Sequence, residues 1–224
     1  MEAVKFNQFF ATMIAFLFAF WCKRSVKLFA NHINQQVYQE YSSLLPPIHS
    51  YDYFKQHSQL QPKQSDWSNY FFWIFPLLAF HIPSTILAFL LMILLFLSVL
   101  DYCYYLTDIR YVAVLFVLVL AYDPVTAHID TLLSCLLFFI CLHYGMLWLW
   151  KKEAFGIGDS LVISSISPLF NIDDMLKLIL LACVSGCIYY FGYQAIMKHN
   201  LAKLPFIPFI SFSTFVLIID RIYV

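Results

Sequence analysis

Two aspartates and two glycines are the residues from which chemistry can be built. The first group is Phe155-Gly156-Ile157-Gly158-Asp159-Ser160, set between a basic pair, Lys151-Lys152, and an apolar run, Leu161-Val162-Ile163. The chain has only five glycines in 224 residues, and two of them stand here. The second group is Tyr105-Leu106-Thr107-Asp108-Ile109-Arg110-Tyr111, where one apolar run ends and the next begins. Two carboxylates that share a site cannot both ionise easily, so the pair holds a proton. The ionised member can take a proton from water, and the protonated member can polarise a scissile carbonyl. Peptide hydrolysis by this route needs neither a metal nor a covalent intermediate, so no cofactor is expected. Gly156 and Gly158 let backbone or substrate approach closely and permit an irregular entry into a helix. Such backbone is tolerated at membrane depth where it lines a wet cavity. Asp108 and Asp159 are therefore the candidate catalytic pair, supported by Gly156 and Gly158.

Other readings of these residues stand beside that one. A lone Gly-x-Gly-Asp is a short signal, and in a water-soluble chain it reads as a turn. Ionisable residues in or beside membrane segments are costly and so are functional candidates, which adds Asp101. Asp101 lies one heptad before Asp108, on about the same helix face and roughly 10 Å deeper at ~1.5 Å per residue. It reads as a packing or supporting residue. Arg110 reads as a marker of the inner interface, with a supporting role as the alternative. Asp173-Asp174 reads as a helix N-terminal pair that suits the macrodipole. In a non-enzymatic reading the chain is a small transporter or assembly scaffold, whose aspartates carry protons or pair with Arg110.

The elements that must position these groups are membrane helices. The chain is 62% hydrophobic, 20% aromatic and only 12% charged, with a mean hydropathy of +0.76. Soluble domains are nearer half apolar and a quarter charged, so the fold class is all-α and the protein a polytopic membrane protein. A formal net charge of +0 gives no basis for nucleic acid binding. The six cysteines, Cys22, Cys103, Cys135, Cys141, Cys183 and Cys187, lie in or beside apolar runs without any Cys-x-x-Cys pair, and read as small apolar residues. The histidines, His49, His57, His81, His128 and His143 among them, show no metal-ligand spacing. No metal site is expected. Trp21, Trp67, Trp73, Trp148 and Trp150 fall at segment ends, as an aromatic belt would.

Residues 1–22 read as a first membrane helix, since the charge of Lys23-Arg24 follows the apolar run where a signal peptide has it in front. Residues 23–68 are the polar region, rich in Asn and Gln and carrying Pro46-Pro47. They read as a cytoplasmic loop without a zinc motif, with a short helix near 26–42. Residues 69–224 read as a multi-helix domain, with segments near 69–81, 84–106, 111–122, 130–150, 159–171, 174–196 and 204–221. The segments near 69–81, 111–122 and 159–171 are short against the ~20 residues that span a bilayer. Eight crossings with the N-terminus outside put Lys23, Arg24, Lys27, Lys55, Lys63, Arg110, Lys151, Lys152, Lys198 and Lys203 inside. Only Lys5, Lys177 and Arg221 are left outside. The same layout puts Asp108 and Asp159 at the cytoplasmic side.

These residues resemble a known family. Phe155-Gly156-Ile157-Gly158-Asp159 before an apolar helix is similar to the second catalytic motif of the type IV prepilin peptidases. Thr107-Asp108-Ile109-Arg110-Tyr111 resembles their first motif. Leu204-Pro205-Phe206-Ile207-Pro208-Phe209-Ile210 resembles the Pro-Phe-Gly-Pro-Phe-Leu signature of their last helix, with Ile207 in place of the glycine. The likeness covers about residues 84–221. It implies a membrane aspartic endopeptidase of a bacterial cytoplasmic (inner) membrane that removes the basic leader of a prepilin or pseudopilin precursor. Cleavage would fall after a glycine, before the hydrophobic helix. By the resemblance Asp108 and Asp159 are catalytic, and Pro205 and Pro208 support them. Zinc-bearing members carry paired Cys-x-x-Cys motifs that residues 23–68 do not have, so the likeness is to a compact, peptidase-only form. Such forms process competence pseudopilins, and no methyl transfer is implied. Another Gly-x-Gly-Asp reading is an intramembrane protease of the presenilin or signal-peptide-peptidase kind. Those have a Tyr-Asp pair, which Asp101-Tyr102 inverts.

Overall fold

In a computed structural model of the chain, residues 2–44, 50–63, 65–151, 155–197 and 203–223 are described. Pro46, Pro47, His49, Lys152 and Lys198, named above, lie outside the described residues. Everything regular among the described residues is helical, and the chain divides into two units, residues 1–81 and 82–224.

In the first unit, helix α1 runs unbroken over Glu2–Leu44. The sequence reading expects a membrane helix ending at residue 22 and a separate short helix near 26–42; one helix passes through both. The physical reason is plain in the composition. No Gly or Pro occurs from residue 2 to 44, and the Lys, Arg and Gln residues that make this stretch polar are good helix formers. Ala11, Ala15, Ala19, Cys22, Val26 and Ala30 are buried along one stripe of α1. Small side chains there allow close approach of a second helix, α3 (Phe71–His81), whose Phe75 ring stacks on Phe18 at 5.7 Å.

The polar half of α1 is covered by its own sequel. Asn34 is buried and fully engaged: its Nδ2 donates to the Leu60 carbonyl at 2.8 Å, and its Oδ1 accepts from Ser58 Oγ at 2.7 Å. Helix α2 (Tyr51–His57) lays Tyr51 and Phe54 against the Tyr38 ring. This is how a stretch too short for its own core is held in place.

The second unit is built on α4 (Thr85–Tyr104), in which Leu90, Leu94, Leu97 and Leu100 are fully buried. Helices α5 (Ile109–Tyr122) and α9 (Ile207–Tyr223) pack on α4. Helix α7 (Ile157–Ile166), with a 3-10 extension over Ser167–Leu169, packs against α5, α6 (Ile129–Trp150) and α9. Helix α8 (Ile172–Met197) lies on α9, with Asp173 and Asp174 in its first turn and the Asn171 side chain capping the Asp174 amide at 2.7 Å. Buried Ser98, Ser164, Ser165, Ser167, Ser211, Ser213 and Thr214 line these contacts. Small hydroxyl residues suit helix packing in a bilayer, where their protons find a carbonyl one turn back.

Among the described residues four helices are long and apolar enough to cross a membrane: Gln8–Leu44 within α1, Thr85–Tyr104, Ile129–Leu149 and Ile172–Met197. Three shorter apolar helices, Phe71–His81, Ile109–Tyr122 and Ile157–Leu169, accompany them. The described residues thus form an all-helical fold whose long apolar helices are those of a membrane-embedded protein.

Candidate functional site

The site begins in the last turn of α4. Asp101 follows the fully buried Leu100 and is itself only 6% exposed. A carboxylate buried among leucines needs a donor, and α9 supplies it. The first amides of a helix have no partner inside it. Ile207 N–H donates to Asp101 Oδ2 at 3.1 Å. The next residue, Pro208, has no amide proton to satisfy, which is why proline is accepted in a first turn. Pro205 is buried just ahead of the helix. The negative charge also sits at the favourable end of the α9 dipole.

Helix α4 then stops. Tyr105 adopts φ 53° and ψ 33°, and its N–H bonds the Asp101 carbonyl at 2.8 Å. Left-handed backbone costs a residue other than glycine roughly 1–2 kcal/mol, so the turn is enforced by its surroundings. It separates the two aspartates into different elements. Asp101 belongs to the end of α4, whereas Asp108 is the N-cap of α5, accepting from the Arg110 amide at 2.9 Å. The expectation that both lie on one face of one helix is thereby corrected: the chain reverses between them. Asp108 is half-buried, and Arg110 is exposed in the first turn of α5.

The glycine stretch enters from the other side. Lys151 ends α6 in the left-handed region (φ 52°), and Gly156 caps α7. Phe155 anchors the approach, stacked on Phe139 at 5.5 Å and edge-on to Phe206 at 5.5 Å. Asp159 lies in the first turn of α7, half-buried. A Cβ on Gly156 would stand 2.9 Å from Asp159 Oδ2, so the carboxylate folds back over the bare glycine. A Cβ on Gly158 would stand 2.5 Å from Thr107 Oγ1 and 2.8 Å from Thr107 Cβ. The absence of a side chain at 158 is what lets α7 seat on the loop that leads to Asp108.

The three stretches singled out in the sequence therefore meet at one end of the second unit. Asp101, Thr107, Asp108, Gly156, Gly158, Asp159, Pro205 and Pro208 all belong to that junction. Of its three carboxylates Asp101 is the buried one, held on the Ile207 amide, while Asp108 caps α5 and Asp159 faces Gly156. Thr107 and the Ile207 amide are contributors that sequence reasoning did not single out. Asp101 was legible as the one acidic residue in an apolar run that starts at residue 84, but its α9 partner is 106 residues away. Among the described residues no three His, Cys, Asp or Glu side chains converge as metal ligands. Chemically, the junction offers three carboxylates, helix-terminal amides bonded to two of them and a glycine floor.

Comparison with protein families, with characterised proteins and with solved structures finds no match for this chain.

Proposed function

We propose that this chain is a membrane aspartic endopeptidase that removes the leader from prepilin-like or pseudopilin-like precursors at the cytoplasmic face. In this reading the chain crosses the membrane eight times with its N-terminus outside. The four long apolar helices are joined as crossings by α3, α5, α7 with its 3-10 extension, and α9. The membrane is the inner membrane of a bacterium. The precursor is the partner, and the chemistry proposed needs no metal.

The observation that carries the proposal is the junction itself: an aspartate over a glycine floor, beside a second, buried aspartate held by a helix-terminal amide, at the ends of apolar helices. Asp159 is one member of the pair. Asp108 is the partner that the motif order suggests, but its carboxylate is engaged in capping α5. Asp101 is favoured as the partner, because it is the buried carboxylate of the junction and is oriented by the Ile207 amide, whereas Asp108 is committed to its cap. The ionised member takes a proton from water as the oxygen attacks the scissile carbonyl, and the protonated member donates to the carbonyl oxygen. Collapse of the tetrahedral species breaks the C–N bond, and the leaving amine takes up the transferred proton.

The test is co-expression with a candidate (pseudo)pilin precursor, reading leader loss by gel shift and product mass. Wild type is compared with Asp101→Asn, Asp108→Asn and Asp159→Asn, each checked for membrane accumulation. Processing abolished by Asp159→Asn and by one of the other two supports a two-aspartate peptidase and identifies the partner. Processing that survives Asp159→Asn overturns it. Cleavage inside the substrate's membrane span would point to the presenilin-like class.

A further inference from the structure

Helices α4 and α9 are tied together at two levels. At the membrane edge, Ile207 N–H donates to Asp101. One turn deeper, Ser98 and Ser211 make a side-chain hydrogen bond across the same interface. Ser98 precedes Asp101 by three residues and Ser211 follows Ile207 by four, so each pair shares a helix face. Both hydroxyls are buried, at 7% and 4% exposure.

Four acceptor contacts are within reach and only two protons are available. Ser98 Oγ lies 2.8 Å from the Leu94 carbonyl; Ser211 Oγ lies 2.9 Å from the Ile207 carbonyl and 3.2 Å from that of Leu94. Either hydroxyl alone can satisfy itself on its own helix. The cross-helix tether needs Ser211, which reaches both Ser98 and the Leu94 carbonyl of α4. Losing Ser98 removes one of these two links, and losing Ser211 removes both.

We propose that Ser211, with Ser98, is the positioning device of the reacting pair: it fixes the register of α9 against α4 and so holds the Asp101 carboxylate on the Ile207 amide. This rests on Asp101 being the partner of Asp159. Neither serine touches substrate. Their role is exerted through the register, and small displacements of a reacting group are expensive in rate.

The experiment uses the full chain, purified in detergent, with a purified pseudopilin precursor. It measures kcat and KM for Asp101→Asn, Ser98→Ala, Ser211→Ala and the double serine variant. Each serine variant leaves the surviving hydroxyl a carbonyl on its own helix, so no buried polar group is orphaned. Ser211→Ala should lower kcat about tenfold with KM unchanged, by analogy with other displaced reacting groups. Ser98→Ala should lose less, and the double variant should match Ser211→Ala. If Ser211→Ala does not accumulate, Ser211→Cys, close in shape and weaker in hydrogen bonding, is read by the same criteria. Wild-type kcat in the Ser211 variant, an effect confined to KM, or strictly multiplicative losses in the double variant would overturn the positioning role. An active Asp101→Asn enzyme overturns the underlying pairing as well. An inactive one beside an unaffected Ser211 variant overturns the tether alone.

Discussion

Gly158 lies directly on Thr107: a Cβ at 158 would sit 2.5 Å from the threonine hydroxyl and 2.8 Å from its Cβ. No real Cβ tolerates such distances, so Gly158→Ala must move α7 or the loop that ends at Asp108. The shift falls on the two stretches that carry the carboxylates. We expect leader cleavage to fall about tenfold or more, as for other ångström-scale misplacements. Thr107→Gly removes both clashing atoms and should restore part of the activity when combined with Gly158→Ala, whereas Thr107→Ala, which keeps the Cβ, should not. The readout is the initial rate of precursor processing, normalised to protein in the membrane. Recovery with Thr107→Ala equal to that with Thr107→Gly would sink the steric account.

Gly156 makes a different demand. Its missing Cβ faces the tip of Asp159 at 2.9 Å, a flexible neighbour that can swing aside. Gly156→Ala should therefore leave the thermal midpoint of the purified protein nearly unchanged while cutting kcat. Gly145 and Gly192 have nothing within 4 Å of where a Cβ would stand and serve as controls. Alanine there should leave activity intact, and by helix propensity it would favour the helix by up to about 1 kcal/mol. An equal loss at all four glycines would mean that backbone freedom, not the local contact, is what the site needs.

The two candidate partners of Asp159 separate on what each carboxylate holds. Asp108 caps α5 through the Arg110 amide, a role asparagine fills as well as aspartate. Asp108→Asn should keep fold and activity. Asp108→Ala should lose about 1 kcal/mol of stability, the usual worth of an N-cap, seen as a lower melting temperature. Asp101→Asn keeps an acceptor for Ile207 but removes the charge, and should abolish cleavage with the protein still assembled in the membrane. An inactive Asp108→Asn beside an active Asp101→Asn would reverse the assignment.

Much of this is open to the sequence for physical reasons. Apolar runs of membrane length announce themselves, and scarce glycines beside an aspartate mark where backbone must come close. What stays hidden depends on contacts distant in sequence. The heptad from Asp101 to Asp108 reads as one helix face unless one knows that Tyr105 turns left-handed, and a tyrosine carries no signal for that. Likewise the Asp101–Ile207 bond joins residues 106 apart. The end of α1 is obscured for the opposite reason: glutamines look like a loop by polarity, yet nothing from Lys23 to Leu44 breaks a helix.

That long helix yields the last prediction. Asn34 is buried in the polar half of α1 and holds the return of the chain through Leu60 and Ser58. Asn34→Ala removes both bonds and leaves the Leu60 carbonyl without this donor, a loss of roughly 1–3 kcal/mol when such a group stays dry. Because the bonds fasten a surface segment, the cost should appear there first, as local opening. In membrane vesicles that expose this segment, limited proteolysis between α2 and α3 should speed up about fivefold or more, following the open population. Cleavage elsewhere should be unchanged. Asn34→Asp retains the acceptor for Ser58 but loses the donor to Leu60, and should fall between. Equal protease sensitivity of wild type and Asn34→Ala would mean that α2 and its flanks are held by other contacts, the Tyr38, Tyr51 and Phe54 rings and the Tyr51 hydroxyl on the Asn31 carbonyl among them.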